Sequence, residues 1–411
     1  MVLSNRQIDQ YMWDKELIGS KMVFLAGPRQ IGKTTYARSL IATPDKGAYF
    51  NWDNPDVRRD FSGDTFFFLK RYGGSGDYLV VFDEIHKRHR WKDILKGIYD
   101  STDRSVRILV TGSARLDLFR KSGDSLVGRY SLFRMLPLSC AEVLGLKPSG
   151  AWPFCGVSGA HLLNCIDDAA VPSGLPEAKE QLLHFGGFPE PFIKGSERFL
   201  NKWKRDYLSL MLTEDLTDLT NIHDVDRVER LVELLPERIA SPLSINSLAT
   251  DLQSNHHTIA SHCMQLERLW LVFFVRPYSR RLKRTLTKEP KCYYVNWTYA
   301  LDEGRRFENF IAVHLFRMCA VANDCGIGDF RLWYVRNFDG REIDFLITRD
   351  GSPVICIEAK LSDADISPSA ASFARHLKTP LLQVVARSGI FRRVAADVRV
   401  VSSDRLLSVI P

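Results

Sequence analysis

The run KMVFLAGPRQIGKTTYARSLIA, residues 21–42, decides the fold of the N-terminal part of the chain. Val23–Ala26 form an unbroken apolar stretch that reads as a buried strand. GPRQIGKTT follows, and the helical pattern TTYARSLIA comes directly after it. The spacing fits GxxxxGK[ST] at Gly27, Gly32, Lys33 and Thr34. Glycines let a backbone curl until several N–H groups point at one anion. Gly27, Pro28, Arg29, Gln30, Ile31, Gly32, Lys33, Thr34 and Thr35 are therefore expected to cradle phosphates. The helix starting near Lys33 would turn its positive end toward the same anion. Lys33 would reach the β- and γ-phosphates of ATP, and Thr34 would hold Mg²⁺.

A second apolar run, YLVVFDE at residues 78–84, ends in two acids. A strand buried in a parallel sheet delivers such acids to the ligand edge. Asp83 is the expected Mg²⁺ ligand, and Glu84 the general base for an attacking water. The next strand, VRILVTGSA at 106–114, ends in polar residues; Ser113 reads either as a γ-phosphate sensor or as a helix N-cap. Arg129, in SLVGRY, reads as an arginine finger acting in its own or a neighbouring subunit, or as a surface arginine. The first alternative carries the expectation of a homo-oligomer. Asp53, in YFNWDNP, sits near the nucleotide or caps a helix.

Composition sets the limits around this site. The chain has 411 residues, 45% of them apolar and 26% charged, enough for several cores. No run approaches the roughly 20 apolar residues that span a bilayer, so no membrane role is expected. The first 21 residues lack the apolar centre of a signal peptide. The eight cysteines are scattered without a CxxC pair, which speaks for reduced thiols in a cytoplasmic protein and against a zinc site. The net charge is +7, and its location matters more than its size.

The order GPRQIGKTT, FNWDNPDVR, VVFDEIHK, ILVTGSA, SLVGRY, LPLSCAEV and GGFPEPF resembles a widespread prokaryotic family. Its members join an AAA-type P-loop ATPase to a C-terminal domain of unknown function with a restriction-endonuclease-like tail, PD-(D/E)xK. The resemblance implies ATP binding at Gly27–Thr35 and at Asp83 and Glu84. One departure is Asn296, where the family usually carries Asp. Residues 147–176 match poorly and, being rich in Gly, Pro and Ser, read as a long loop or insertion.

Residues 181–240 show helical spacing and read as a lid. SINSLATDLQSNHHTIASHCMQLERLWLVFFV, at 244–275, reads as helix, turn, helix and strand, the order of a winged helix-turn-helix. Such a fold would expose Asn255, His256, His257 and Ser261. Residues 276–291 then hold seven basic residues against Glu289. Arg276, Arg280, Arg281, Lys283 and Arg284 are the candidates for gripping the phosphates of DNA or RNA, and a protein-interaction module is the other reading.

The last 110 residues carry a second set of acids. A helix bears Glu308, a hairpin turning at FDG brings Asp344, and the strand PVICIEAK ends in Glu358 and Lys360. Period two puts Glu358 and Lys360 on one face. Asp344, Glu358 and Glu308 would hold Mg²⁺, and Lys360 would position water, as in a D…ExK nuclease.

The expected fold is α/β: an ATPase domain at 1–180, a helical lid at 181–240, a winged helix at 241–300 and a nuclease-like domain at 301–411. Two functional expectations follow. One is an ATPase coupled to nucleic-acid binding and Mg²⁺-dependent cleavage. The other is an ATP-controlled switch or scaffold whose nuclease-like tail binds a protein or uncut nucleic acid.

Overall fold

The computed structural model describes residues 6–41, 46–68, 78–102, 106–112, 126–146, 158–216, 225–279 and 289–411. Ser113, Arg280, Arg281, Lys283 and Arg284 lie outside the described residues. The chain forms two compact units, Met1–Leu136 and Pro137–Pro411.

The first unit is built on a five-stranded sheet of order β2-β3-β4-β1-β5. The strands are β1 (Met22–Ala26), β2 (Gly47–Asn51), β3 (Tyr78–Asp83), β4 (Val106–Thr111) and β5 (Tyr130–Arg134), and every pairing is parallel. All residues of β1 and β3 are buried, as expected for central strands covered on both faces. One face packs on an aromatic cluster in which Phe50, Phe61, Phe68 and Phe82 meet ring to ring. The register aligns Leu25 with Thr111, Thr111 with Asp83, and Asp83 with Asn51. The C-terminal ends of four strands therefore share one edge, and the loop Gly27–Gly32 leaves from it. Gly27 must be glycine because an added Cβ would lie 2.2 Å from the Met135 carbonyl oxygen. The turn closes with Gln30 and Gly32 at φ 58° and 98°.

The second unit carries an eight-stranded mixed sheet of order β12-β13-β11-β10-β9-β8-β6-β7. Its strands are β6 (Val272–Pro277), β7 (Lys291–Tyr294), β8 (Phe330–Arg336), β9 (Glu342–Arg349), β10 (Ser352–Lys360), β11 (Leu381–Val385), β12 (Phe391–Ala395) and β13 (Val398–Ser402). The helix Pro368–Leu377 packs its Ala370, Ala374 and Leu377 against Val335, Leu346 and Cys356 of the sheet. The 22-residue helix Glu303–Asp324 is capped by Asp302 and packs against β7, β8 and β10.

The two compact units divide the chain differently from the expected domains. The compact break falls at 136/137, and the helix Leu175–Phe185 runs across the expected boundary at 180/181. The boundary at 300/301 cuts a single sheet. Strand β6 pairs antiparallel with β7 and parallel with β8, Arg276 aligning with Trp333. Helices Ile245–Asp251 and His256–Arg268 do precede the β6–β7 pair in the expected order. The hairpin, however, extends the C-terminal sheet, because backbone pairing with β8 satisfies an edge that a separate wing would expose.

The stretch 147–176 also differs from its reading as a loop. Residues 147–157 lie outside the described residues, but Gly159–Asp168 is a helix capped by Ser158. Asp167 at its end receives the Arg399 guanidinium at 2.9 and 3.0 Å. That charge-assisted pair holds the carboxyl of Asp167 below its usual value.

Candidate functional site

The nucleotide-type site forms at the strand ends of the first unit. Thr34, in the first turn of the helix Lys33–Ser39, donates its hydroxyl to Asp83 Oδ2 at 2.7 Å. Thr111 and Tyr49 also donate their hydroxyls to Asp83. Three elements, the loop helix, β2 and β4, thus converge on one carboxylate. Lys33 is buried, and its ammonium donates to the carbonyls of Gly27 and Pro28 at 2.9 and 2.7 Å. A hydroxyl beside a carboxylate is a hard-oxygen donor set, and it fits Mg²⁺.

Glu84 follows Asp83 in a left-handed conformation, φ 58°, and its N–H donates to the Thr111 carbonyl at 3.0 Å. Burial raises its carboxyl pKa above the ordinary value, and Asp83 and Asp53 add to the rise. Lys33 and Lys87 oppose it. Asp53 sits at this edge and pairs with Lys87 at 2.6 Å. His86, within 3.5 Å of Glu84, was not anticipated from sequence, because a histidine two residues past an acid carries no pattern of its own.

Arg129 is not brought to this edge. It precedes β5, and its carbonyl accepts from Met22 N, the first residue of β1. At about 3.3 Å per residue, the five residues of β1 separate it from the phosphate loop by about 16 Å. Its guanidinium pairs with Asp100 at 2.9 Å. The structure therefore removes Arg129 from the phosphates of its own subunit.

The second constellation lies in the C-terminal sheet. Strands β9 and β10 pair antiparallel, and Asp344 Oδ2 accepts from Ala359 N at 3.0 Å. Glu358 and Lys360 share a face and pair at 3.0 Å, and Ser367 donates its hydroxyl to Glu358 at 3.2 Å. Glu308 reaches the same place from its helix and accepts from the Tyr293 hydroxyl at 2.7 Å. Asp344, Glu358 and Glu308 all act electrostatically on Lys360, so the four residues are neighbours.

A fifth residue changes their chemistry. Lys291, the first residue of β7, is completely buried. Its Nζ lies 3.1 Å from Glu308, 3.1 Å from Glu342 and 3.4 Å from Asp344. Burial alone would lower the pKa of this ammonium, but the three acids outweigh that and hold it above its usual value. Glu308 is pushed up to about 7, by burial first and Asp344 second. Lys291 therefore leaves the basic segment with which its sequence position groups it. The expected Mg²⁺ set Asp344, Glu358 and Glu308 does not fit a divalent ion, because an ammonium already stands among the carboxylates. Among the described residues, no group of three or more His, Cys, Asp or Glu is arranged to hold a metal.

Of the nucleic-acid candidates, only Arg276 is described, and it is exposed on β6. Asn255, His256, His257 and Ser261 are exposed, and Asn255 caps its helix by accepting from Thr258 N at 2.9 Å. Asn296 caps the turn Trp297–Tyr299 through Oδ1, a role an aspartate oxygen would serve equally. The seven cysteines among the described residues are all free. None of the described helices is long and apolar enough to cross a membrane.

This geometry agrees with the comparisons. Residues 19–144 match the AAA domain family, so the first unit carries an AAA-type P-loop domain. Residues 177–298 match the domain of unknown function DUF8612, and residues 303–405 match the domain of unknown function DUF4143. The chain is 22% identical over 417 residues to an uncharacterized protein of Methanocaldococcus jannaschii, covering 96% of this chain and 88% of that one. It is 23% identical over 380 residues to an uncharacterized protein of Mycobacterium tuberculosis, covering 89% of this chain and 76% of the relative. A solved structure of Drosophila ORC bound to AT-rich DNA and Cdc6 is similar over 75% of this chain and 92% of that chain. Identity there is 9% and the TM-score 0.24, a likeness that carries no argument about ligand or partner.

Proposed function

We propose that this protein binds ATP with Mg²⁺ and hydrolyses it at the Gly27–Thr35 loop, and that its C-terminal unit binds nucleic acid. The observation that carries the first part is the meeting of Thr34, Asp83 and Lys33 at one sheet edge. Lys33 would exchange the Gly27 and Pro28 carbonyls for the β- and γ-phosphate oxygens, a better match for its charge. Thr34 and Asp83 would hold Mg²⁺, which supplies charge neutralisation at those oxygens. Glu84, its basicity raised by burial, would take a proton from the attacking water. The products are ADP, inorganic phosphate and a proton. Measuring ATP turnover of the wild type beside Lys33→Ala tests this reading; undiminished turnover in the variant would refute it.

The nucleic-acid reading is supported by charge. With Lys291 buried, residues 276–290 still hold six basic residues against Glu289. Such a cluster binds phosphate by counterion release. Lys291 also favours a particular form of the reading, in which the tail binds without cutting and ATP hydrolysis resets the bound state. Incubation of supercoiled and linear DNA with the protein, ATP and Mg²⁺ tests it: retained DNA should stay intact, and nicking lost in Glu358→Ala would restore the cleaving alternative.

A further inference from the structure

We infer that Lys291 is the resident cation of the Glu308–Glu342–Asp344 cluster, so that the folded protein binds no divalent metal there. The claim concerns the C-terminal unit alone and does not rest on the ATPase reading. It starts from an energetic exclusion. An ammonium with no solvent exposure is tolerated only when acids pair with it, and three carboxylates this close need a cation. Either a lysine or a metal meets that need. The distances of 3.1, 3.1 and 3.4 Å show the lysine meeting it from the point the three acids share.

Several of the other acceptors are engaged, although Glu342 Oε2 is buried without a hydrogen-bond partner. Asp344 Oδ2 accepts a backbone N–H, Glu358 holds Lys360 and Ser367, and Glu308 holds Tyr293. Arg336 approaches Glu342 at 3.6 Å. Four carboxylates thus face three protein cations, close to balance. A Mg²⁺ ion needs oxygens at about 2.0–2.1 Å in an octahedral set. Reaching Asp344 and Glu308 at that range would press it against the Lys291 ammonium. The lysine also has a mechanical role. It ties β7 to the helix through Glu308 and to β9 through Glu342 and Asp344.

The experiment uses the full chain and Mn²⁺ alone as probe, read by titration calorimetry and by thermal unfolding with Mn²⁺ or EDTA. The wild type should show no Mn²⁺ binding that Asp344→Asn removes, and Asp344→Asn should leave the Mn²⁺ response of its melting unchanged. Lys291→Met, one atom shorter and without charge, should gain Mn²⁺ binding at least tenfold tighter than the wild type. Asp344→Asn added to Lys291→Met should abolish that gain. One Mn²⁺ per wild-type chain, lost in Asp344→Asn, would overturn the inference, as would folded Lys291→Met that gains none. Should Lys291→Met fail to fold, the wild-type and Asp344→Asn comparison still decides the question.

Discussion

Thr34 and Asp83, 49 residues apart in the chain, meet through a 2.7 Å hydrogen bond from the threonine hydroxyl to the carboxylate. That contact joins the phosphate loop to the end of β3. Asp83→Asn keeps the shape and removes the charge that would face Mg²⁺. A charge-assisted contact is worth about 1.5–3 kcal/mol, so Mg-ATP affinity should fall by about tenfold to a hundredfold. Affinity in EDTA should change far less. Titration of a fluorescent ATP analogue with and without Mg²⁺ measures both, and equal losses in the two conditions would contradict the assignment.

Nucleic-acid binding should depend on the basic segment. Reversing Arg281 and Arg284 to Glu should weaken binding across sequences and flatten its salt dependence. Anisotropy titrations at several salt concentrations read the slope. A slope equal to that of the wild type would move the interface to another surface.

Stability of the second unit should fall in mild acid through His314. The side chain is completely buried beside Trp297 and Phe310, and it donates Nδ1–H to the Phe310 carbonyl at 2.9 Å. Burial pushes its pKa down to about 4, against an ordinary 6.5. The folded state therefore resists a proton that the unfolded state accepts. Stability is complete above the unfolded value and drains as pH falls from about 6.5 toward 4, by up to about 3 kcal/mol. Urea unfolding at several pH values should show a smaller loss in His314→Phe. An identical loss in both proteins would exclude His314 as the source.

Arg317 and Glu142 form a buried two-point ion pair at 2.9 and 3.0 Å, and Glu142 also completes a capping box with Ser139. Glu142→Ala would strand the guanidinium and should cost about 3–5 kcal/mol. Denaturant midpoints measure it; a loss below about 1 kcal/mol would mean that water or the Pro137 carbonyl compensates.

The sequence made legible what is local. The glycine spacing, the acid-tipped strand and the Glu358–Lys360 alternation each lie within a few residues, and the corresponding strands form there. What stayed hidden is carried by pairings across long separations. Lys291 reads as one more positive charge in a basic run, because nothing nearby shows that Glu308, Glu342 and Asp344 will enclose it. The helix Gly159–Asp168 starts on glycine and contains Asn and Asp, weak helix formers. Its anchors, Arg399 and Arg405, lie more than 230 residues away. The sheet across residues 272–402 escaped notice because the β6–β8 pairing leaves no periodic trace of its own.

The central claim is hydrolysis of ATP at the phosphate loop, and steady-state phosphate release with Mg²⁺ tests it most directly. The account predicts measurable turnover by the wild type and its loss in Lys33→Ala. In Glu84→Gln, which keeps nucleotide binding, turnover should fall about 10²- to 10⁴-fold. Turnover in Lys33→Ala and Glu84→Gln equal to that of the wild type would contradict it.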